Sequence, residues 1–360
     1  MMDSKKRILF IAPQPFFEVR GTPIAVKDML NILREKYDID LVTYPQGTAF
    51  PMSGVKHHKC FSIGIKKVKI GPSFGKLVLD VTLFIKSLSL FLRNKYDYIH
   101  AVEEAALFGV FFKKIKRTKL VFDMDSIMSE QVANGRFKFA AGLFKKIETT
   151  IIKNSDLILA VSINFKEYCK NIDPNCNFVE IFDIPQIEKV SLPEDLKNKF
   201  TLSDKKKVLY VGNGEKYQGV ELLEGVAKEM PDLDFYIVGT GREGVEDNKV
   251  YISKVNMEYV WGIMQLVDVL VSPRLSGTNT PMKIYTYMAS GKQIVATNIK
   301  SHTILRGWAI IVNNDQASLL NGIKKVFSLP NQLASDMIAY VEENFGSDRL
   351  RQIVLTTYNM

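Results

Sequence analysis

The chain has 360 residues, of which 46% are apolar and 24% are charged, and its formal net charge is +9 at pH 7. The composition is that of a globular protein, and the length favours two domains over one. The basic excess favours anionic partners such as nucleotides, phosphates or anionic lipids. Nucleic acid is the weakest candidate among anionic partners, because the sequence has no arginine-rich arm, zinc-finger spacing or RNP-like aromatic strand.

Cysteine, histidine and hydropathy patterns narrow the class of protein further. The cysteines and histidines are scattered without metal-ligand spacing, which predicts a reduced setting and no bound metal. The polar segment 1–7 and the short apolar run 8–12 do not form a secretory signal. The apolar segment 74–92 is interrupted by charges, which argues against a transmembrane helix. We expect a cytoplasmic protein that contacts a membrane at most peripherally, at its inner face.

The first half of the chain predicts alternating strands and helices. An apolar run at 8–12 is followed by a loop, and Thr22-Pro23 then predicts the cap and first turn of a helix that ends near Glu35. A strand at 39–43 completes the unit of a parallel sheet. A long helix at 74–93 has Leu77, Val81, Phe84 and Leu88 on one side. Further strands are predicted at 98–100, 120–122, 157–161 and 178–181.

A basic amphipathic helix is predicted at 137–152, where phenylalanine alternates with lysine, and segment 113–119 adds positive charge. Basic amphipathic surfaces dock on anionic bilayers. Two interpretations are open. Either this surface contacts a membrane, or the lysines are simply solvated and the apolar residues are core, namely Phe137, Phe139, Leu143 and Phe144.

The second half repeats the alternation after a break. Segment 187–203 holds Pro193 and several charges but few large apolar residues, and it is the predicted linker. Strands then end in Gly212-Asn-Gly214 and Gly239-Thr-Gly241. The predicted domains are 1–188 and 204–335, followed by terminal helices at 336–360. Parallel sheets bind ligands at the carboxyl ends of their strands, so the predicted site is a cleft between two facing halves.

The segment 272–303 is the most informative part of the chain. It predicts a loop, a short helix capped by Asn279 or Thr280 with Pro281 in its first turn, and a strand at 293–297. Such a helix end attracts anions. A cation in the first turn is unfavourable for the helix, so Lys283 is better placed for a phosphate than for stability, and Arg274 lies just before it. The alternative is an ordinary connection within an α/β domain.

Five further motifs, in the order in which they occur, give the chain a family resemblance. They are RGTPIAV (20–26), VFDMDS (121–126), YVGNGEKYQGVELL (210–223), FYIVGTG (235–241) and VDVLVSPR (267–274). Together with 272–303 they resemble glycosyltransferase family 4 over essentially the whole chain. The resemblance implies a GT-B fold of two Rossmann-like, doubly wound parallel-sheet domains facing a central cleft. It also implies sugar transfer from a nucleotide-diphosphate sugar with retention and without a metal. The C-terminal half would bind the donor and the N-terminal half the acceptor, and the last helix would cross back to the N-terminal half.

The sequence departs from the family pattern at its charged positions. Thr278 and Thr286 stand where two glutamates are usual, and Asn213 and Gln218 stand near the usual arginine and lysine. Asp125 stands near the usual histidine. Because Arg274 and Lys283 restore two cations on the neighbouring loop, the chain looks like a variant branch in which the diphosphate is neutralised from another side.

These observations assign expected roles to individual residues. Asp125, Arg274 and Lys283 are the predicted catalytic residues. The predicted acceptor-binding residues are Arg20, Glu103, Glu104 and Asp123. The predicted donor-binding residues are Gly21, Thr22, Gly212, Asn213, Gln218, Gly239, Arg274, Thr278, Asn279, Thr280, Lys283 and Thr286.

The expected function is a retaining glycosyltransferase that acts on a saccharide, a lipid-linked or another surface-glycan acceptor. Because charged family positions are missing, a non-catalytic scaffold subunit of the same fold is the first alternative. A nucleotide-sugar epimerase is the second.

Overall fold

The computed structural model describes residues 5–18, 21–66, 68, 73–133 and 138–358. The chain forms two compact units, and each is built on one seven-stranded sheet. The N-terminal unit comprises Met1–Phe182 and Arg351–Met360, and the C-terminal unit comprises Asp183–Leu350.

The sheet of the N-terminal unit is entirely parallel. Its central strands are continuous apolar runs buried on both faces, as expected where helices cover both sides of a sheet. The strands are β1 (Lys6–Pro15), β2 (Tyr37–Tyr44), β3 (Val55–Lys59), β4 (Tyr98–Val102), β5 (Lys119–Met124), β6 (Leu157–Ala160) and β7 (Phe178–Glu180). Their order in the sheet is β3-β2-β1-β4-β5-β6-β7.

Six helices connect these strands within the described residues. They are α1 (Gly21–Leu33), α2 (Phe74–Arg93), α3 (Ala106–Ile115), α4 (Met128–Ala133), α5 (Ala141–Asn154) and α6 (Asn164–Ile172). Thr22 lies inside the first turn of α1, so its predicted position as the cap is wrong. Ser73 caps α2 by accepting a bond from the backbone N–H of Lys76, 3.2 Å away.

The end of the chain is part of the N-terminal unit. The ring of Tyr358 packs against Tyr98, with ring centroids 5.2 Å apart, and its hydroxyl bonds Nδ1 of His100. His100 in turn stacks on Phe10, with centroids 4.0 Å apart. At the surface, Arg351 pairs with Glu35 over 2.6 Å. The segment 351–358 is therefore held by buried aromatic contacts and an ion pair.

The sheet of the C-terminal unit is parallel except for one edge strand. The strands are β8 (Lys206–Val211), β9 (Leu233–Val238), β10 (Gly244–Glu246), β11 (Lys249–Ile252), β12 (Val269–Ser272), β13 (Gln293–Thr297) and β14 (Ile310–Val312). Their order is β10-β11-β9-β8-β12-β13-β14, and only β10 runs antiparallel to its neighbour.

One helix of the C-terminal unit lies inside segment 187–203, which the sequence predicted to be a linker. The short helix α7 (Glu194–Asn198) buries Leu196, and Phe200 beyond it stacks on Tyr236 with ring centroids 4.4 Å apart. Part of segment 187–203 therefore belongs to this core. The other helices are α8 (Val220–Glu229), α9 (Met257–Gln265), α10 (Met282–Ala289), α11 (Gln316–Ser328) and α12 (Ala334–Phe345). Helix α13 (Ser347–Thr357) begins in this unit and belongs to the N-terminal unit from Arg351 onward.

Helix α12 also packs within the C-terminal unit, since Phe345 at its end meets Tyr285 of α10 with ring centroids 4.9 Å apart. The predicted terminal segment 336–360 is thus divided between the two units at residue 350. Across the described part of the chain, no helix combines the length and apolar character needed to cross a membrane.

Candidate functional site

The strand order of the C-terminal unit creates a ligand-binding position between β8 and β12. These strands are neighbours, but the chain leaves β8 toward β9 on one side and β12 toward β13 on the other. The two loops diverge there and open a crevice at the carboxyl ends of the strands. They also contact each other, because the backbone N–H of Leu275 donates to the carbonyl of Tyr217 over 2.8 Å.

Arg274 lies in this crevice and is only 8% exposed. Its Nε donates to the carbonyl of Ser276 over 2.8 Å, and Nη2 donates to Oδ1 of Asn279 over 3.2 Å. The guanidinium carbon is 5.2 Å from the ring centroid of Tyr217. Burial lowers the pKa of Arg274, which nevertheless titrates far above neutral pH. Neutral groups therefore position a buried cation.

Lys283 adds a second cation from the first turn of α10. Its Nζ donates to Oε1 of Gln218 over 3.2 Å and lies 4.3 Å from the ring centroid of Tyr210. Burial of the amine, reinforced by the charge of Arg274, lowers the pKa of Lys283 to about 7. The residue as a whole is partly exposed, whereas its amine is desolvated.

The two cations differ from ordinary buried charges in their surroundings. Among the described residues, neither Arg274 nor Lys283 forms an ion pair with an aspartate or glutamate. A buried charge without a partner lowers the free energy of unfolding. A ligand that supplies the opposite charge offsets this cost. Arginine offers a bidentate fork and lysine a point charge, which together suit a diphosphate.

The start of α10 contributes to the same anion site. Its N-cap position is held by Pro281, and no side chain caps the helix, so the predicted capping by Asn279 or Thr280 is wrong. Asn279 uses its amide oxygen for Arg274 instead, and Thr280 is buried. The positive end of the helix dipole lies beside Lys283 and favours an anion.

Glycines allow the strand ends to approach each other closely. A Cβ atom on Gly212 would lie 2.5 Å from the Tyr210 hydroxyl and 3.2 Å from Nζ of Lys283. A Cβ atom on Gly239 would lie 2.8 Å from the carbonyl oxygen of Gly212. Asn213 is held by its backbone, since its carbonyl accepts a bond from the Tyr210 hydroxyl over 2.8 Å. The structure therefore places Gly212, Asn213 and Gln218 around Lys283, with Gly239 on the next strand.

The two threonines at the family's glutamate positions differ in their surroundings. Thr286 is 2% exposed, and its hydroxyl accepts a bond from the backbone N–H of Gln186 over 3.1 Å. This contact ties α10 to the segment that precedes α7. Thr278 lies partly exposed in the loop after β12. A donor contact by either residue stays a prediction, as it does for Gly21 and Thr22 in the N-terminal unit.

Sequence reasoning missed one support of the cations. The ring of Tyr210 underlies Lys283, and the only sequence signal was an aromatic residue two positions before Gly212. His302 is 1% exposed and bonds Oγ of Ser272 over 3.0 Å and the carbonyl of Thr297 over 2.8 Å. Burial lowers the pKa of His302 to about 4, so the ring is neutral and holds the end of β12.

A carboxylate cluster occupies the corresponding position of the N-terminal sheet, where β1 and β4 are neighbours. Glu104 pairs with Lys76 over 2.5 Å, and Glu103 accepts a bond from the Ser126 hydroxyl over 2.9 Å. Asp80 accepts a bond from Tyr44. Burial, reinforced by the charge of Glu104, raises the pKa of Glu103 and of Asp80. Because their pKa values are raised, these groups hold protons more readily than ordinary carboxyls.

The other predicted acceptor residues are less accessible than the sequence indicated. Asp123 is 5% exposed, and its Oδ2 accepts a bond from Nε2 of His100 over 3.0 Å inside the unit. Asp125 lies in the bend after β5, so the pair does not project from one strand face. Arg20 lies outside the described residues.

One glycine separates the two loops of the C-terminal site. Gly219 has φ 68°, and a Cβ atom there would lie 2.1 Å from the carbonyl oxygen of Pro273. Gly219→Ala is expected to destabilise the protein by about 2–4 kcal/mol, through the left-handed backbone and the clash together. Gly241→Ala is the matched control, because Gly241 has φ 84° but open space around it, and about 1–2 kcal/mol is expected. Equal shifts of the two urea-unfolding midpoints would show that the clash has no effect.

Comparison with known proteins covers the segment that contains this site. Residues 205–328 match the family described as glycosyl transferases group 1, and this range contains β8, β12 and α10. A curated relative, Uncharacterized glycosyltransferase MJ1069 of Methanocaldococcus jannaschii, is 25% identical over 272 residues. The aligned region covers 67% of this chain and 68% of the relative.

Solved structures share the fold of the whole chain. Sucrose-phosphate synthase from Thermosynechococcus elongatus has a TM-score of 0.83 at 15% identity, over 99% of this chain and 98% of its own. HepE from Anabaena in complex with UDP-glucose has a TM-score of 0.74 at 14% identity, over 98% and 99%. The catalytic domain of starch synthase IV from Arabidopsis thaliana, bound to ADP and acarbose, has a TM-score of 0.71 at 10% identity, over 99% and 100%. The predicted fold class, two Rossmann-like parallel-sheet domains of the GT-B type, is confirmed.

Proposed function

We propose that the protein is a retaining glycosyltransferase that uses a nucleotide-diphosphate sugar. The observation that carries the proposal is the pair Arg274 and Lys283, two cations without a carboxylate partner among the described residues. The pair lies at the crevice between β8 and β12, within residues 205–328, which match the glycosyl transferases group 1 family. Similar structures bind UDP-glucose in HepE and ADP in starch synthase IV, which supports a nucleotide-linked donor.

The chemistry follows from where charge develops. When the bond between the anomeric carbon and the diphosphate breaks, both electrons stay on the diphosphate oxygen, and its negative charge increases. Arg274, Lys283 and the start of α10 stabilise this charge in fixed positions. The acceptor hydroxyl forms the new bond to the same carbon and gives its proton to the departing diphosphate, whose added negative charge makes it a base. We propose no metal requirement, since side-chain cations meet the diphosphate charge.

The acceptor side of the proposal rests on the N-terminal unit. Glu103 and Glu104 lie at the carboxyl end of β4, where polar groups bind the hydroxyls of sugars. Asp125 is proposed to hold the reacting hydroxyl. The proposed acceptor is a saccharide, a lipid-linked or another surface glycan, and the proposed location is the cytoplasm at the inner face of the membrane.

A thermal-stability screen tests donor binding. UDP-, GDP-, ADP- and dTDP-sugars are each added to the protein, and the matching donor is expected to raise the unfolding temperature. At about 100 times its dissociation constant, a ligand adds about 2.7 kcal/mol to the free energy of unfolding. The free sugar without nucleotide is the control and should give no shift.

The screen, followed by analysis of the sugar products, distinguishes the proposed function from the alternatives. No shift with any donor would favour a non-catalytic scaffold of the same fold. A donor that binds and changes its sugar without any acceptor would indicate an epimerase. Transfer with inversion, read from the anomeric configuration of the product by NMR, would contradict the retaining mechanism.

A further inference from the structure

We propose that the outer face of helices α2, α3 and α5 docks on an anionic lipid bilayer. This α2/α3/α5 face is defined by Leu77, Val81 and Ile85 of α2, Phe111 and Ile115 of α3, and Leu143 of α5. The proposal goes beyond the transfer reaction, because it concerns a surface that contains none of the proposed donor-site residues.

Exposed apolar side chains follow each helix at helical spacing. On α2, Leu77 is 61% exposed, and Val81 and Ile85 follow one turn apart with about half of their surface exposed. On α3, Phe111 and Ile115 repeat the pattern. Helix α2 buries a second apolar stripe on its opposite side, which includes Leu79 and Leu83. A helix of a folded domain needs only one apolar side to pack on its sheet. The outer apolar stripe of α2 is therefore not needed for the core.

The stripes form one surface because the helices are neighbours. The steps from β3 to β4, β4 to β5 and β5 to β6 run in the same direction along the sheet, so right-handed crossovers place α2, α3 and α5 on one face. The ring centroids of Phe84 on α2 and Phe111 on α3 are 5.7 Å apart. Lys113 of α3 donates to the carbonyl of Asn154 at the end of α5 over 2.8 Å.

The exposed charged side chains of the three helices are of one sign, and the exposed Asp156 just after α5 is paired with Lys113 over 2.7 Å. The carboxylates of the three helices are Asp80 and Glu148, and both accept bonds from tyrosine hydroxyls within the unit. The exposed charged residues of these helices are all basic, namely Arg93, Lys114, Lys145, Lys146 and Lys153. Apolar side chains beside basic residues match the interface of an anionic bilayer, where acyl chains lie beneath negative headgroups.

Charge also distinguishes the bilayer from a second copy of the chain. Two copies of the face would bring like charges together, which opposes self-association. The structure contradicts part of one interpretation left open for the basic helix. Phe139 is 84% and Leu143 60% exposed, so the prediction that these two are core residues is wrong. Phe137 lies outside the described residues.

Vesicle co-sedimentation tests the proposal on the full chain. The probes are vesicles of phosphatidylcholine alone and of phosphatidylcholine mixed with phosphatidylglycerol. We expect binding to the mixed vesicles, loss of binding at high salt, and little binding to phosphatidylcholine alone. Leu77→Glu is expected to weaken binding about tenfold, because it places a carboxylate at the headgroup level.

Matched variants control for charge and folding. Leu202 is 59% exposed and lies in the C-terminal unit, so Leu202→Glu makes the same change at another surface and should bind like the wild type. The pair Lys145→Ala and Lys146→Ala should weaken binding, whereas the equally exposed pair Lys324→Ala and Lys325→Ala on α11 should not. Unfolding temperatures show whether each variant is folded.

Four results would overturn the proposal. The first is no binding to mixed vesicles by the wild type, and the second is equal binding to both kinds of vesicle. The third is an equal loss of binding in Leu77→Glu and Leu202→Glu. The fourth is a dimer in sedimentation velocity that Leu77→Glu dissociates, which would assign the face to a second copy of the chain.

Discussion

Lys283→Met is expected to weaken binding of the nucleotide-diphosphate sugar about 10–100-fold, since a charge-assisted contact contributes about 1.5–3 kcal/mol. Methionine keeps much of the side-chain volume and removes the charge. The contact between the cation and a diphosphate strengthens as charge develops on the leaving group. The loss in kcat/KM is therefore expected to exceed the loss in binding and to approach a thousandfold. Isothermal titration and initial-rate kinetics with the same donor measure the two effects.

A lysine at the other end of α10 provides the control. Lys292 is also partly buried, but its Nζ donates to the carbonyl of Gln265, 3.2 Å away. Lys292→Met should leave donor affinity unchanged. The folded state should tolerate Lys283→Met, because the variant removes a desolvated amine without a carboxylate partner among the described residues. Near wild-type turnover in Lys283→Met would refute the assigned phosphate contact.

Hydrophobic alternation was sufficient to predict two α/β halves, whereas the GT-B fold was implied by the family resemblance, and the edge strands β3 and β10 were missed. The run at 293–297 is strand β13 as predicted, and Gly291 ends α10 with φ 67°, which a glycine accommodates without strain. These features are local, since they depend on the residues of one segment. The predicted linker failed because Leu196 and Phe200 are buried, although the stretch around them carries several charges and a proline. Their burial depends on partners distant in sequence.

Helix α2 shows a limit of periodicity. Leu77, Val81 and Phe84 formed the apolar side found in the sequence, but the structure buries Leu79 and Leu83 instead. Both sides are apolar, so the 3.6-residue period cannot decide which one faces the sheet. Only the pairing of α2 with β1 and β2 resolves it. The undecided side is the one proposed to contact lipid.

The structure places the two predicted cations close to one site and contradicts several predicted contacts. Arg274 and Lys283 were identified because cations near a helix start are locally unfavourable. The caps were predicted wrongly, because Asn279 bonds the guanidinium of Arg274 rather than the helix. Asp123 lies near the carboxyl end of β5 as predicted, but its bond to His100 depends on the neighbouring strand. Such contacts are set by tertiary packing, which one sequence does not encode at a fixed spacing.

Donor affinity is expected to fall as the pH rises above neutrality. In the free protein, burial and the neighbouring Arg274 hold the pKa of Lys283 at about 7, so the amine is mostly neutral in mildly alkaline solution. A bound diphosphate favours the charged form and raises this pKa. Binding above about pH 7 therefore requires proton uptake, and affinity should decrease by up to about tenfold per pH unit until about pH 10.

Other groups near Lys283 do not titrate in this range. The pKa of His302 is lowered to about 4 by burial, and burial raises the pKa of Tyr210 and of Tyr287 beyond the range. Arg274 stays charged throughout. Below about pH 7 the profile should be flat, because Lys283 is already protonated in the free protein. The slope above neutrality can thus be assigned to one amine.

Calorimetry in buffers of different ionisation enthalpy measures the proton directly. The wild type should take up close to one proton per bound donor in mildly alkaline solution and almost none in mildly acidic solution. Lys283→Met should bind weakly with no uptake at either pH, and Lys292→Met should behave like the wild type. A flat wild-type profile, or the same slope in Lys283→Met, would show that Lys283 is not the group that meets the diphosphate. With a slope confined to proteins that keep Lys283, the same desolvation that makes this lysine costly in the free protein would also make donor binding sensitive to pH.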